Sequence, residues 1–318
     1  MKYAILVPLL LFSMLASGSQ FVSPNPFRRD MQTHIPFNVK DLPEHGISLI
    51  SPSDPSFEEL INRLPQGKTG VSGMSEPFSV FVKNTGDKAV IAYTLKWEFA
   101  KADGKVINKS MNYATAGALT GQTSARGRYI IAPHSAHFVS LVFDSLTGSI
   151  DVGSGRGANV NGVALDSEAA NYFGDQARER VHVAKLDRLN KELAQSTSLT
   201  VSVDGVFFAD GTFVGPNTTG FFEKVKALQS AKHDLLLEIQ SGARKGKAES
   251  ELFNEVEALT KGPKIRLGPR STIDDYYNYH KRRYAAELLR MRKATGGESA
   301  IERMLQSLQQ GWPELRRF

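Results

Sequence analysis

From Phe78 onward, apolar and polar positions alternate. Phe78, Val80 and Val82 set the rhythm, and Asn84-Thr85-Gly86-Asp87 supplies turn residues. Ile91, Tyr93, Leu95, Trp97 and Phe99 follow, with Ala92, Thr94, Lys96 and Glu98 between them. Successive side chains on a strand point to opposite faces, so this spacing predicts a strand with one buried face. Asp103-Gly104 marks the next turn, and Ile107, Met111 and Tyr113 a third strand. Tyr129-Ile130-Ile131 and residues 137–143 predict two more, the latter with Val139, Leu141 and Phe143 on one side. Leu199, Val201 and Val203 resume the alternation. Val206-Phe207-Phe208, a turn at Asp210-Gly211, and Phe213-Val214 end the β set.

The pattern differs on either side of this region. Residues 19–75 read as a proline-rich arm, because each proline fixes φ and removes a backbone donor. Within the arm, residues 46–50 suit a short strand. Asp54-Pro55 with Glu58 and Glu59 suits the start of a short helix. Residues 144–165 are rich in glycine and read as loop. Residues 166–195 then read as an inserted, highly charged helix with a thin apolar stripe that includes Ala184 and Leu189. From residue 217 the apolar spacing becomes helical. One helix is expected after a cap at Thr218 or Thr219 and a break near Gly242–Gly246. A second stops at Gly262-Pro263, a third starts at Thr272, and a last short one carries Ile301, Met304, Leu305 and Leu308.

These elements predict a mainly β plus α fold: an antiparallel sandwich over 76–216 with a helical insertion, and a helical region over 217–318. The hairpin at Asn84 to Asp87, Trp97 on the next strand, and the turn Ala132-Pro133-His134-Ser135 before an apolar strand resemble an immunoglobulin-like or fibronectin-III-like module. The resemblance implies that Trp97 is a buried core tryptophan. It carries no function with it.

Composition adds location. Residues 1–18 have a positive start, an apolar stretch of about 13 residues and a small-residue end, the layout of a secretory signal peptide. That stretch is short of the ~20 residues of a membrane-spanning helix, so no transmembrane span is expected once the signal is removed. The chain has no cysteine, which excludes disulfides, thiol nucleophiles and cysteine-ligated zinc. The expectation is a secreted or periplasmic bacterial protein. Its net charge of +6, one less without Lys2, favours anionic surfaces without arguing for nucleic acid.

Catalytic signatures are sparse. His134 and His137, with His182 or Asp144 as a third group, could ligate a metal, but the pair reads first as two surface histidines in a turn. Val152-Gly153-Ser154-Gly155-Arg156-Gly157 resembles a phosphate loop without the helix such a loop needs. Asp274 and Asp275 read as helix-start acids, and Asp204 and Asp210 as turn residues beside glycine. No cofactor and no metal is assigned. The unusual segment is the tyrosine-rich basic helix with Tyr277, Lys281, Arg282, Arg283 and Arg290, the candidate binding residues. The reading is therefore a non-enzymatic exported protein for adhesion or envelope interaction, with an envelope protein or anionic cell-surface polymer as partner. The alternative is an exported hydrolase of glycans or peptides using carboxylates or a histidine-held metal.

Overall fold

The computed structural model describes residues 35–63, 76–120, 129–142, 148–151, 175–263, 265–268, 270–309 and 312–318. The expected signal peptide, the glycine loop 152–157 and the start of the inserted helix lie outside these residues. The described residues form ten strands and seven α-helices. In chain order the first are β1 (Phe37–Lys40), β2 (Ile47–Ile50), α1 (Pro55–Asn62), β3 (Ser79–Asn84), β4 (Val90–Lys101), β5 (Val106–Ala114), α2 (Ala116–Leu119), β6 (Ser135–Ser140) and β7 (Gly148–Asp151). They continue as α3 (Asp175–Ala194), β8 (Ser196–Phe208), β9 (Thr212–Val214), α4 (Phe221–Arg244), α5 (Glu249–Thr260), α6 (Ile273–Thr295), α7 (Gly297–Gln309) and β10 (Arg316–Arg317).

The strands make two sheets, so the chain is a mixed α/β body. One sheet runs β10-β9-β8-β4-β5, the other β2-β3-β6-β7. The main ladders are antiparallel, as expected. Two short strands depart from that expectation: β1 joins β8, and β10 joins β9, in parallel. Both arrive from distant parts of the chain, which parallel pairing requires.

Ile47 and Leu49 from β2, Val80 and Val82 from β3, and Val139 from β6 share one apolar cluster with Tyr93, Leu95, Trp97, Phe99, Leu199, Val201 and Val203 of the first sheet. Trp97 is fully buried there, edge-on to Phe37. Removing such side chains from water stabilises the fold by roughly 1.5–3 kcal/mol each. The outer face of the second sheet is covered by α1, whose Phe57 and Leu60 pack on Phe81 and Phe138. Asp54 caps that helix through a 2.8 Å bond from the Ser56 N–H. The outer face of the first sheet is divided. At one end Ile91, Ala92, Phe207 and Phe213 pack on the C-terminal helices. Further along, Lys96 and Glu98 pair at 2.8 Å, and Thr94 donates to Asn112.

Two β-bulges make that division. Val90 pairs with Phe208 and Ala92 with Phe207, leaving Ile91 as an extra residue on β4. Thr94 pairs with Gly205 and Leu95 with Val203, leaving Asp204 as an extra residue on β8. A bulge shifts the alternation by one. Val90 and Tyr93 therefore face the inter-sheet core, while Ile91 faces the helices and does not share the face of Tyr93 to Phe99 as its spacing predicted. On β8, Val203 and Val206 share the inter-sheet core and Phe207 turns to the helices.

Other differences are local. Tyr129-Ile130-Ile131 forms no strand; it makes a single bridge from Ile131 to Val90, with Ile130 and Ile131 buried. β7 lies where loop was expected. Gly242 sits inside α4, packed so that a Cβ would meet Leu252 Cδ2 at 2.5 Å. The helix runs on to Arg244, and the left-handed residue is Gly246. Among the described residues, no helix is long and apolar enough to cross a membrane.

Candidate functional site

The basic helix is α6. Thr272 caps it, accepting from the Asp275 N–H while the Asp275 carboxylate accepts from the Thr272 N–H. Its polar side chains turn largely to neighbouring elements. The Tyr277 hydroxyl donates to Asp234 Oδ2 at 2.9 Å, and Lys281 Nζ donates to Glu238 Oε1 at 2.6 Å, both acceptors on α4. Burial, then the Asp234 hydrogen bond, pushes the Tyr277 hydroxyl pKa up. Burial opposes the charge on Lys281, but Glu238 outweighs it and holds the amine pKa above its ordinary value. Arg282 donates to the Pro263 carbonyl and covers Gly262. Arg283 is half-buried, and Arg290 is exposed. Lys281 and Arg282 thus fasten α6 to α4 and to the segment after α5.

The histidines do not converge. His137 is buried between the sheets, its Nδ1 2.5 Å from the Tyr93 hydroxyl and its ring edge-on to Tyr93 and Tyr113. His134 is exposed, its Nε2 3.2 Å from Asp87. The side chains of His182 and Asp144 lie outside the described residues. Among the described residues no three His, Asp or Glu side chains gather to hold a metal. Asp210 behaves as expected, accepting from the Thr212 N–H. Asp204 does not: it is a buried mid-strand residue that accepts from both the N–H and the hydroxyl of Thr218 and Thr219, at 2.6–2.8 Å.

A cleft lies elsewhere, beside the inserted helix. The second half of α3 packs on the inter-sheet core through Leu186, Leu189 and Leu193. Its last turn is held by Lys101 Nζ and Ser196 Oγ, both donating to the Glu192 carbonyl. Lys185, Arg188, Leu189 and Glu192 follow helical i, i+3, i+4, i+7 spacing, so they share one face. That face lies against β5, where Lys109 pairs with Glu192 at 2.9 Å. Between helix and strand is a cleft of about 230 Å³, lined by Lys109, Ser110, Met111, Leu141, Lys185, Arg188 and Leu189.

The cleft has a basic rim and an apolar floor. Leu141 and Leu189 are buried and Met111 is half-buried, all against the inter-sheet core. Lys109 is compensated by Glu192 and reaches over the Phe99 ring. Arg188 is exposed and makes no ion pair among the described residues. Arg188 adds an exposed positive charge at the rim, and a concave wall of low polarity strengthens its field. The signal in the sequence is the placement of Lys185 and Arg188 on the same helical face as Leu189, within a helix whose middle reads only as highly charged.

A buried cation, Lys232 of α4, lies under the C-terminal helices. Its Nζ donates to Thr120 Oγ1 at 3.0 Å and faces the rings of Tyr284 and Trp312 at 5.4 and 5.9 Å. Burial drives its pKa down to about 8 against a smaller opposing pull from Glu287. At 1 % exposure it meets no substrate in this state. Comparison with protein-family models, with curated proteins and with solved structures finds no match for the chain.

Proposed function

We propose that this chain is an exported, non-enzymatic binding protein of a bacterial envelope or its surroundings, and that its ligand is anionic. The observation that carries the reading is the cleft between α3 and β5, lined by Lys109, Lys185 and Arg188 above Met111, Leu141 and Leu189. The leader-like residues 1–18 support export. An immunoglobulin-like arrangement of the two-sheet body is part of the proposal, supported by the buried Trp97 and the antiparallel ladders around it. A cleft seated on such a scaffold is pre-formed, which lowers the cost of binding.

The basic helix is a second contact surface in this proposal. Tyr277, Lys281 and Arg282 hold α6 in place, and Arg290 projects outward. The cleft is favoured because Arg188 holds no such fastening contact among the described residues. The hydrolase alternative gains no comparable support among the described residues.

The test is retention on an anionic matrix. Purified protein is expected to bind dextran sulfate in preference to neutral dextran, with binding that falls as salt rises. Lys185→Glu with Arg188→Glu is expected to reduce that binding at least fivefold, and Arg290→Glu to reduce it less. Retention that is indifferent to matrix charge, or unchanged in the double variant, would remove the cleft from the proposal.

A further inference from the structure

We infer that residues 312–317 form a strap, closed in this structure over Lys232, and that release of the strap is coupled to the proton on that amine.

The strap is fastened at three places. Trp312 donates from Nε1 to the Ser307 carbonyl at 2.6 Å, and its ring meets that of His233 edge-on at 5.4 Å. The Pro313 carbonyl accepts from Gln229 Nε2 at 2.9 Å. The same amide nitrogen donates to the Leu119 carbonyl at 2.9 Å, so one side chain of α4 holds both the strap and the end of α2. Further on, β10 lies along β9, and the Arg316 N–H donates to the Gly211 carbonyl at 3.0 Å. Gly211 has a φ of +85°, and a Cβ there would fall on the Glu314 carbonyl. Trp312 and Leu315 are half-buried against the helical cluster, while Glu314, Arg316 and Arg317 are exposed. A segment with so little apolar burial opens at lower free energy than the core beneath it.

Below the strap is the Lys232 ammonium. Three elements enclose it: α6 through the Tyr284 ring, the end of α2 through the Thr120 hydroxyl, and the strap through the Trp312 ring. Two aromatic faces and a hydroxyl replace its hydration incompletely, and burial pulls the pKa down to about 8. Among the charged groups around it, Glu287 of α6 opposes that fall, more weakly than burial. His233 meets the Trp312 ring, and Glu314 and Arg316 of the strap pair with each other in solvent.

Lifting the strap takes the Trp312 ring away and lets water reach the amine. Closing therefore favours the neutral amine, and opening favours the ammonium. Between about pH 8 and 10.5 the open state holds the proton that the closed state has lost, so closure tightens as pH rises. Below about pH 8 both states are charged, closure buries that charge, and the strap is at its weakest.

Thiol labelling tests the inference, because the chain has no cysteine of its own. Ser307 is buried and carries the carbonyl that holds Trp312, so Ser307→Cys places a thiol beside the strap. Val139→Cys places one in the inter-sheet core, where labelling reports global unfolding. Each rate with a neutral maleimide is divided by the rate for the same variant unfolded in urea at the same pH. At pH 7.5 the Ser307→Cys thiol is expected to label at least tenfold faster than the core thiol. Its opening is expected to fall at least tenfold between pH 7.5 and 9.5. Lys232→Met is expected to lower the opening at pH 7.5 and to remove the pH dependence. Gln229→Ala is expected to raise the opening at both pH values and to keep the dependence. Equal rates for the two thiols would overturn the strap, since the segment would then lift only with the whole fold. Faster labelling beside the strap that is indifferent to pH, or a pH dependence that survives in Lys232→Met, would overturn the coupling.

Discussion

Two buried titratable side chains have effects on stability whose signs follow from their surroundings. Lys232 has its folded-state pKa lowered from 10.5 to about 8 by burial. Below about pH 8 both the folded and the unfolded chain carry the charge, and the folded chain bears its desolvation. Between about 8 and 10.5 the unfolded chain binds the extra proton, so this residue makes stability rise with pH, by up to roughly 3 kcal/mol. Lys232→Met is expected to flatten that rise and to leave the protein as stable as the parent or more so at pH 7, as seen by urea denaturation at several pH values. His280 is buried, its pKa lowered from 6.5 to about 4 by burial and then by Arg283, and its Nδ1 finds no hydrogen-bond partner among the described residues. Its contribution is complete above about pH 6.5 and is lost as pH falls toward 4, again by up to roughly 3 kcal/mol. His280→Phe is expected to make the acid side of the stability profile shallower. Neither effect was legible in the sequence, where Lys232 is one of three lysines on its helix and nothing marks His280 as buried. Burial is a property of what α6 and the C-terminal segment place around them.

At the scale of elements, the informative failure is Asp204-Gly205. The pair read as a turn, yet it lies in the middle of a thirteen-residue strand. Gly205 is there because the Phe213 ring lies where a Cβ would be, 2.4 Å away. Asp204 is the bulged residue, and its carboxylate binds four donors at the approach to α4. Thr218 and Thr219, read as caps of that helix, are instead its donors, and the N-cap is Gly220 in a left-handed conformation. Burial pushes the Asp204 pKa up, but the four hydrogen bonds outweigh it and hold the carboxyl below its ordinary value. Asp204→Ala would leave those donors without their acceptor and is expected to cost about 3 kcal/mol, measured as a drop in the denaturation midpoint. Asp204→Glu is expected to recover little, because the longer side chain does not fit the bulge. Most element types were legible, since period two and helical spacing are local properties. α5 stops close to its sequence signal at Gly262-Pro263, and α6 starts at Thr272 as its cap implied. Bulges were not legible, because an extra residue on one strand is defined only against its partner.

At the scale of the whole molecule, the alternation around Trp97 and the helical spacing after residue 217 were sufficient to determine a body with two kinds of surface to bury. Side-chain period is written residue by residue, and transfer from water depends on each side chain's own chemistry. The absence of cysteine likewise settled that no disulfide contributes. Tertiary structure alone decided which sheet face each apolar residue serves, because the bulges at Ile91 and Asp204 reset the alternation between neighbours distant in sequence. It alone brought Lys185 and Arg188 to Lys109, some eighty positions earlier in the chain, over a floor completed by Leu141. A cleft is the space left between surfaces, and no run of residues encodes that space until the helix and the strand that bound it have docked.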